Sequence, residues 1–394
     1  MSTNHDSSPL TGLGESEELD YAVSTCARCG YCKQVCTTHP YGNGFEAFSP
    51  RAKVHFLNEL RNGRAELTPE WVDRLYQCTT CERCQEVCQT DIPLVELWEA
   101  ARAETVKRGL GPMPVHLKFK EFADKNGNAY GEPNEERGRW MLPEHRPAEG
   151  AELLVFGGCT GSFKMPAMLR TGVSILQRQG IPFAYAGPGE LCCGSPILRT
   201  GQIDSAKRLI AGNLDTFHRL GVKQVVTPCG GCSKTLKHDY PRWAKELGKP
   251  WEVEVLHFSE IYVRLLREGR LKPKKAINRK ITYHDPCHLG RSQGIFDEPR
   301  EILAAIPGVE LVEMENVRAD SRCCGAGGGV RANYAAMAND IAEKRIKEAI
   351  ATGADTLATM CPFCQSSFAP LLQKMGNPLQ LVGVEELLLQ SMEE

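Results

Sequence analysis

No stretch of this 394-residue chain approaches the roughly 18–20 consecutive apolar residues of a membrane span. Charge of one sign is also missing: 47 Lys and Arg stand against 49 Asp and Glu, a formal net charge of −2. That balance gives no field for nucleic acid or an anionic membrane surface. The first residues, MSTNHDSSPLTGLGESEE, are polar and acidic and lack the apolar run of a secretory signal. Residues 1–18 are expected to form a disordered tail. The expected location is the cytoplasm, where thiols stay reduced, and any attachment to the cytoplasmic membrane face would come through a partner. With 42% apolar and 24% charged residues, the remainder is ordinary for a globular chain of two or three domains.

What the sequence does have is eighteen cysteines. An even number invites a disulfide framework, but the length, the absent signal and the tight C-x-x-C clustering oppose it. Zinc at every site is a weaker alternative; iron–sulfur clusters fit the spacing best. The first eight form two runs, Cys26, Cys29, Cys32, Cys36 and Cys78, Cys81, Cys84, Cys88, each reading C-x2-C-x2-C-x3-C. In this bacterial ferredoxin spacing three close thiolates wrap one cluster and the fourth ligates the other. The expected sets are Cys26, Cys29, Cys32 and Cys88 for one [4Fe-4S] cubane, and Cys78, Cys81, Cys84 and Cys36 for its partner. Proline usually follows the fourth cysteine; here Thr37 and Gln89 do, so a locally altered turn is expected. Two helices fit between the runs. Phe56, Leu57 and Leu60 share one face of the first, Asn62-Gly63 stops it, and Thr68-Pro69-Glu70 starts the second. The module, over 19–111, resembles the helical ferredoxin domains of succinate dehydrogenase iron–sulfur subunits.

The other ten cysteines fall into two sets of five. Cys159, Cys192-Cys193-Gly194 and Cys229/Cys232 are followed by Cys287, Cys323-Cys324-Gly325 and Cys361/Cys364. Cys287 follows Cys159 by 128 residues, Cys323 follows Cys192 by 131, and Cys361 follows Cys229 by 132. This is a duplication. Short apolar runs, 153–156 and 281–283, lead to the lone cysteines, and helical patterns end at Gly221 and Gly353. Strands at 224–227 and 356–359 then deliver the C-x-x-C pairs. Alternating strands and helices predict an α/β fold with a mainly parallel sheet, its ligands gathered at the carboxyl ends of strands. The expected division is a Pro/Gly-rich linker over 112–150, with Trp140 anchoring it by packing, and two halves at 151–272 and 273–394.

The order Cys, Cys-Cys-Gly, Cys-x-x-Cys, present twice behind a two-cluster ferredoxin module, resembles the cysteine-rich CCG domain family. Within it the pattern is similar to the D-type subunit of heterodisulfide reductase, and to iron–sulfur subunits of glycolate, lactate and glycerol-3-phosphate dehydrogenases. The resemblance implies that each complete motif gives five cysteines to a noncubane four-iron cluster. A cubane needs only four protein ligands, so a surplus fifth agrees with that. One such cluster plus a tetrahedral zinc in the other half is the alternative. Gly194 and Gly325 are expected where backbone must approach a cluster closely.

Weaker signals stand beside these. The run Gly325-Ala326-Gly327-Gly328-Gly329 has the look of a phosphate loop but lacks its lysine, and a pliant loop against a cluster explains it better. His284 and His288 flank Cys287, whereas the first half carries Phe156 and Thr160 there. His288 is a candidate proton donor to a leaving thiolate; a histidine bonded to local backbone is the commoner role. Arg291, Lys164, Arg322 and Arg331 could meet an anionic substrate or simply balance charge.

The resemblance implies electrons passing through two cubanes to CCG centres that reduce a disulfide, with Cys192, Cys193, Cys323 and Cys324 at the reacting site. The other expectation is a relay subunit. There a flavoprotein partner would oxidise a hydroxy acid or glycerol phosphate, and this chain would pass electrons to a quinone or a b-type membrane cytochrome.

Overall fold

A computed structural model describes residues 17–392. The expected tail over 1–18 lies, up to residue 16, outside the described residues. The chain divides into two compact units: the first runs through Lys120 and includes Pro196–Asp204 and Gly325–Ile341, and the second holds Glu121–Ser195, Ser205–Cys324 and the remainder from Ala342.

The first unit is helical. Ser49 caps the helix Pro50–Arg61 by accepting from the Ala52 N–H, Pro50 sits at its first turn, and Asn62 ends it. Thr68 caps Pro69–Tyr76 in the same way, accepting from Trp71, so both helices stand where the start and stop signals put them. Leu57, Leu60, Leu75, Leu97 and Trp98 pack into one core between these helices and Leu94–Lys107. Phe56 stacks on Trp71 with ring centroids 3.3 Å apart.

Two short segments from far along the chain complete this unit, and buried Arg102 gathers them. Its guanidinium donates to the carbonyls of Arg199 (2.7 Å), Gly328 (2.9 Å), Cys78 (2.9 Å) and Leu75 (2.9 Å). The glycine run lies directly on the cysteine loop. A Cβ at Gly327 would stand 2.3 Å from the Thr79 carbonyl oxygen, and one at Gly328 2.2 Å from that of Cys78. Only glycine permits that approach. The pliant loop is therefore a main-chain surface fitted against the second ferredoxin run.

The second unit is α/β. Strands β1 (Leu153–Val155), β2 (Gln224–Thr227) and β3 (Glu254–His257) form a parallel sheet in that order. Strands β4 (Arg279–His284), β5 (Val309–Leu311), β6 (Thr356–Thr359) and β7 (Gln380–Gly383) form a second, ordered β5-β4-β6-β7 and also parallel. The central strands are buried along nearly their whole length, as parallel strands covered on both faces are. Helices Ile203–Arg219 and Ala335–Ala351 occupy matching places 132 residues apart, and Gly221 (φ 65°) and Gly353 (φ 70°) follow them in left-handed backbone. One apolar core, including Val155, Val226, Ile281, Tyr283 and Ala358, joins the two sheets. Trp140 is buried in that core and donates to the Tyr185 hydroxyl at 2.9 Å, which is the anchoring role expected of it.

Candidate metal centres

The two ferredoxin runs fold alike. Arg28 (φ 55°) and Gly30 (φ 87°) flank Cys29 in left-handed backbone, as Thr80 (φ 51°) and Glu82 (φ 64°) flank Cys81. For a β-branched residue such as Thr80 this conformation is strained, and such strain persists only where surroundings over-determine it. Backbone turned this way forms a concave nest of N–H groups that suits an anionic centre; the Thr80 N–H already points at Cys78 Sγ, 3.4 Å away. Cys36 comes across from the first run to line one small cavity with Cys78, Cys81 and Cys84, beside Lys53 and Trp98. Cys32 has Cys26, Cys29, Cys36 and Cys88 as charged neighbours, and burial followed by those neighbours pushes its thiol up to about 11. Four thiols crowded this way fit a metal centre, which takes them as thiolates. Past each fourth cysteine a hydroxyl reaches sulfur: Thr37, in the family's usual proline place, has its Oγ1 3.6 Å from Cys81 Sγ, and Thr90, one beyond Gln89, has its Oγ1 3.6 Å from Cys88 Sγ.

The two centres differ in surroundings. Cys29 is exposed, whereas Cys81 and Cys84 are buried and share their cavity with the buried ammonium of Lys53. Burial lowers the Lys53 pKa, and the Cys78 and Cys36 thiolates oppose that. Lys53 lies on the buried face of its helix with Val54, Leu57 and Leu60, and Arg102 lies on that of another helix with Trp98 and Ala101. A cation on an apolar face is a legible signal in a sequence, and neither residue was among the expected site residues.

The ten remaining cysteines all sit in the second unit, and nine of them form one unbroken run of buried sulfur contacts. Cys159 meets Cys192, Cys192 meets Cys193, and Cys193 meets Cys232. Cys232 meets Cys229, and Cys229 meets Cys361 of the other half. The run continues through Cys364 to Cys324 and Cys323. The second cysteine of each Cys-Cys-Gly is the hub. Cys193 accepts from Cys192 and Cys232, which brings its thiol down to about 6; Cys324 accepts from Cys323 and Cys364 and is likewise lowered. None of the eighteen cysteines is in a disulfide, and Cys287 is the one of these ten not fully buried. So many buried, mutually hydrogen-bonded thiols suit a centre that takes them as thiolates.

The strand–loop geometry explains the convergence. Cys159, Cys229, Cys287 and Cys361 all follow the carboxyl ends of strands, and Cys229 and Cys361 occupy the N-cap positions of the next helices. At Gly158 (φ 64°) a Cβ would stand 2.8 Å from Cys232 Sγ. Gly194 (φ 90°) faces Ile210 and Ala206, and Gly325 (φ 82°) faces the Ala338 carbonyl 2.3 Å from where its Cβ would be. At both, the observed demand for glycine is left-handed backbone beside a helix.

The side chains around the two sets are not equivalent. Arg137, from the segment read as linker, is buried; it donates to Cys159 Sγ at 3.7 Å and pairs with Glu190 at 2.7 Å. Glu190 also accepts the N–H groups of Gly157 and Gly158, both at 2.9 Å. Burial raises its pKa, with Arg137 and these N–H groups pulling it back. In the second half Asp285 pairs with Arg300 at 2.7 Å instead. His284 is buried with a ring nitrogen near Cys324 and Cys364, the three ligand atoms lying within 4.8 Å of one another. His288 is half-buried, with Nδ1 3.7 Å from where a Gly231 Cβ would be, over the Cys229-Gly-Gly-Cys232 loop. Among the candidate cations, Arg291 donates to the Ala319 and Ser321 carbonyls, Lys164 pairs with Glu132, and Arg322 pairs with Glu348. No sequence pattern pointed to Arg137, whose partner Glu190 is 53 residues away.

Comparison with known proteins agrees with this arrangement. The 4Fe-4S dicluster domain family matches residues 22–92, and the CCG cysteine-rich domain family matches 153–237 and 281–369. The fold and its cysteine centres thus define an iron–sulfur electron-transfer subunit of the oxidoreductase class. The D-type subunit of dihydromethanophenazine:CoB–CoM heterodisulfide reductase from Methanosarcina mazei is 37% identical over 377 residues, covering 91% of this chain and 90% of that protein. The Methanosarcina barkeri protein of the same name is 35% identical over 404 residues, 98% of this chain and 97% of that one. The B-type subunit of the CoM/CoB fumarate reductase from Methanothermobacter marburgensis is 34% identical, covering 80% of this chain and 61% of that protein. The chain belongs to the CCG iron–sulfur proteins of the heterodisulfide reductase D-type family. Among the described residues, no helix is long and apolar enough to cross a membrane.

Proposed function

We propose that this chain passes electrons through two cubane centres to two CCG centres at which a disulfide is reduced to two thiols. Cys26, Cys29, Cys32 and Cys88 would hold one cubane, and Cys36, Cys78, Cys81 and Cys84 the other. Cys159, Cys192, Cys193, Cys229 and Cys232, and then Cys287, Cys323, Cys324, Cys361 and Cys364, would hold two noncubane four-iron clusters. Iron–sulfur clusters, when bound, supply electrons one at a time. The reading takes 19–111, 151–272 and 273–394 as the three cysteine-bearing segments.

One observation carries the reading: the run of buried sulfurs passes from one CCG set to the other through Cys229 and Cys361. Splitting R–S–S–R′ consumes two electrons and two protons and releases RSH and R′SH. Two one-electron sources beside one substrate therefore suit it better than one. The residues' own part is to hold the two sets in contact, exclude water from nine of ten sulfurs, and supply a proton. Half-buried His288, over the Cys-Gly-Gly-Cys loop, would take that last role. The donor would be a flavoprotein or a b-type membrane cytochrome, which would also attach the chain to the cytoplasmic membrane face.

Anaerobically purified protein, oxidised in the presence of candidate thiols, tests the reading by EPR. A paramagnetic signal that appears only with a particular thiol is the expected result. No thiol-dependent signal, together with a co-purifying flavoprotein, would instead favour the relay in a hydroxy-acid or glycerol-phosphate dehydrogenase.

A further inference from the structure

The duplication lets each half serve as a control for the other. In the parallel sheets Val155 pairs with Val226, and Tyr283 with Ala358, so the next residues, Phe156 and His284, hold the same place. Helices Ile203–Arg219 and Ala335–Ala351 correspond end to end, which matches Asn213 with Arg345. At both positions the halves differ together. The first half has phenylalanine and asparagine; the second has histidine and arginine.

In the first half Asn213 donates to the carbonyl of Cys192 at 3.1 Å and to the Tyr240 hydroxyl at 2.9 Å. Phe156 is fully buried and offers nothing polar. In the second half Arg345, also fully buried, donates from Nε to Nδ1 of His284 at 3.2 Å. Arg345 is held in turn by the Asn316 carbonyl at 2.8 Å, Ser321 Oγ at 3.2 Å and the Glu348 carboxylate at 2.9 Å. Phe368 meets the imidazole edge-on at 4.9 Å, and the His284 carbonyl accepts from Thr359 Oγ1 at 3.2 Å. The ring has one place to be.

Arginine only donates, so Nδ1 of His284 must accept and carries no proton. The imidazole proton then sits on Nε2, which is buried and makes no hydrogen bond of ordinary geometry, to sulfur or otherwise, while Cys324 is close enough to act on the ring as a hydrogen-bonding neighbour. What lies beside the ring are the sulfurs of Cys324 and Cys364. A nitrogen that bears a proton cannot ligate a metal. We infer that His284 is a positioning residue, an N–H donor to the Cys324 sulfur locked in that tautomer by Arg345, and that it makes the second CCG centre easier to reduce than the same centre would be without it. Hydrogen bonds to cluster sulfurs raise reduction potentials by favouring the more negative state. The inference rests on the proposal that both CCG sets hold clusters, and it adds a residue that tunes the second of them.

Potentiometric EPR on the anaerobic holoprotein tests this, following the CCG signal that Cys364→Ser abolishes and that therefore belongs to the second half. His284→Phe, which copies the first half, keeps wild-type iron and weakens electron binding at that centre about tenfold, a fall of about 59 mV for a one-electron couple. His284→Gln, which keeps an N–H donor, recovers part of the fall. Arg345→Asn, which leaves the imidazole in place but frees its tautomer, lowers the same potential. Pulsed EPR of the unaltered protein shows only the weak nitrogen coupling of a hydrogen-bonded ring. Strong coupling from a coordinated nitrogen, iron lost from His284→Phe, or an unmoved potential would each overturn the inference. Iron sufficient for one CCG centre only in the unaltered protein would overturn the underlying cluster reading, and that count is taken before any variant is compared.

Discussion

Replacing Arg102 by methionine removes a buried cation whose hydrogen bonds all end on main-chain oxygen. Five of them reach four carbonyls: Leu75 from both Nε (3.3 Å) and Nη2 (2.9 Å), Cys78, Arg199 and Gly328. Each carbonyl left bare in the interior costs about 1–3 kcal/mol. The desolvation cost of the guanidinium, itself several kcal/mol, is returned at the same time. The net loss is therefore about 3–5 kcal/mol, felt where Pro196–Asp204 and Gly325–Ile341 join the cysteine loop. A chain of two units need not unfold in one step, so amide hydrogen exchange is the better assay than a single melting point. Protection in those two segments should fall by about 10²–10⁴-fold, at 1.36 kcal/mol per tenfold. Arg102→Lys should recover less than half of it, since three ammonium donors on a flexible stem cannot reproduce the planar fork. The reasoning fails if Arg102→Met leaves protection in both segments within about tenfold of the original protein.

Three other outcomes are expected. Gly328→Ala forces a Cβ to 2.2 Å from the Cys78 carbonyl oxygen at a φ of 59°, so it should destabilise by more than about 1 kcal/mol and lower iron incorporation at the Cys78 loop; normal iron content would contradict this. Arg137→Leu strands the buried Glu190 carboxylate and should cost about 3–5 kcal/mol in denaturant unfolding, with Arg137→Leu/Glu190→Gln costing less than the single change. Burial lowers the pKa of His116, whose Nε2 donates to the Gly329 carbonyl at 2.9 Å, to about 4. The unfolded chain takes up that proton near pH 6.5 and the folded one does not, so stability falls as pH drops from 6.5 to about 4, by up to about 3 kcal/mol; in His116→Gln this part of the slope should vanish.

Spacing within the sequence carried most of the fold. Two C-x2-C-x2-C-x3-C runs, a repeat offset near 130 residues and ordinary caps at Thr68 and Gly221 were enough to place the helices, the strands and the cysteine loops. What stayed hidden were partners far apart in the chain. Nothing near Gly327 and Gly328 says that they will lie on the carbonyls of Thr79 and Cys78, some 250 residues earlier. Arg137 sits in a Pro/Gly-rich stretch with no periodicity, and only the fold brings it to Cys159. Lys53, Arg102 and Arg345 were readable in principle. The first two are cations on apolar helix faces, and the third appears once the two halves are laid over each other at Asn213. Aligning the duplicated halves residue by residue, rather than cysteine by cysteine, would have exposed the His284–Arg345 pair.

Metal content of the anaerobically purified chain tests the central claim most directly, because it asks what the ten CCG cysteines hold. Two cubanes and two four-iron CCG clusters require about 16 iron atoms per chain, matching sulfide and negligible zinc. Zinc near one per chain, with iron near 12, would contradict the claim by leaving one half with a tetrahedral zinc and no second electron source beside the disulfide.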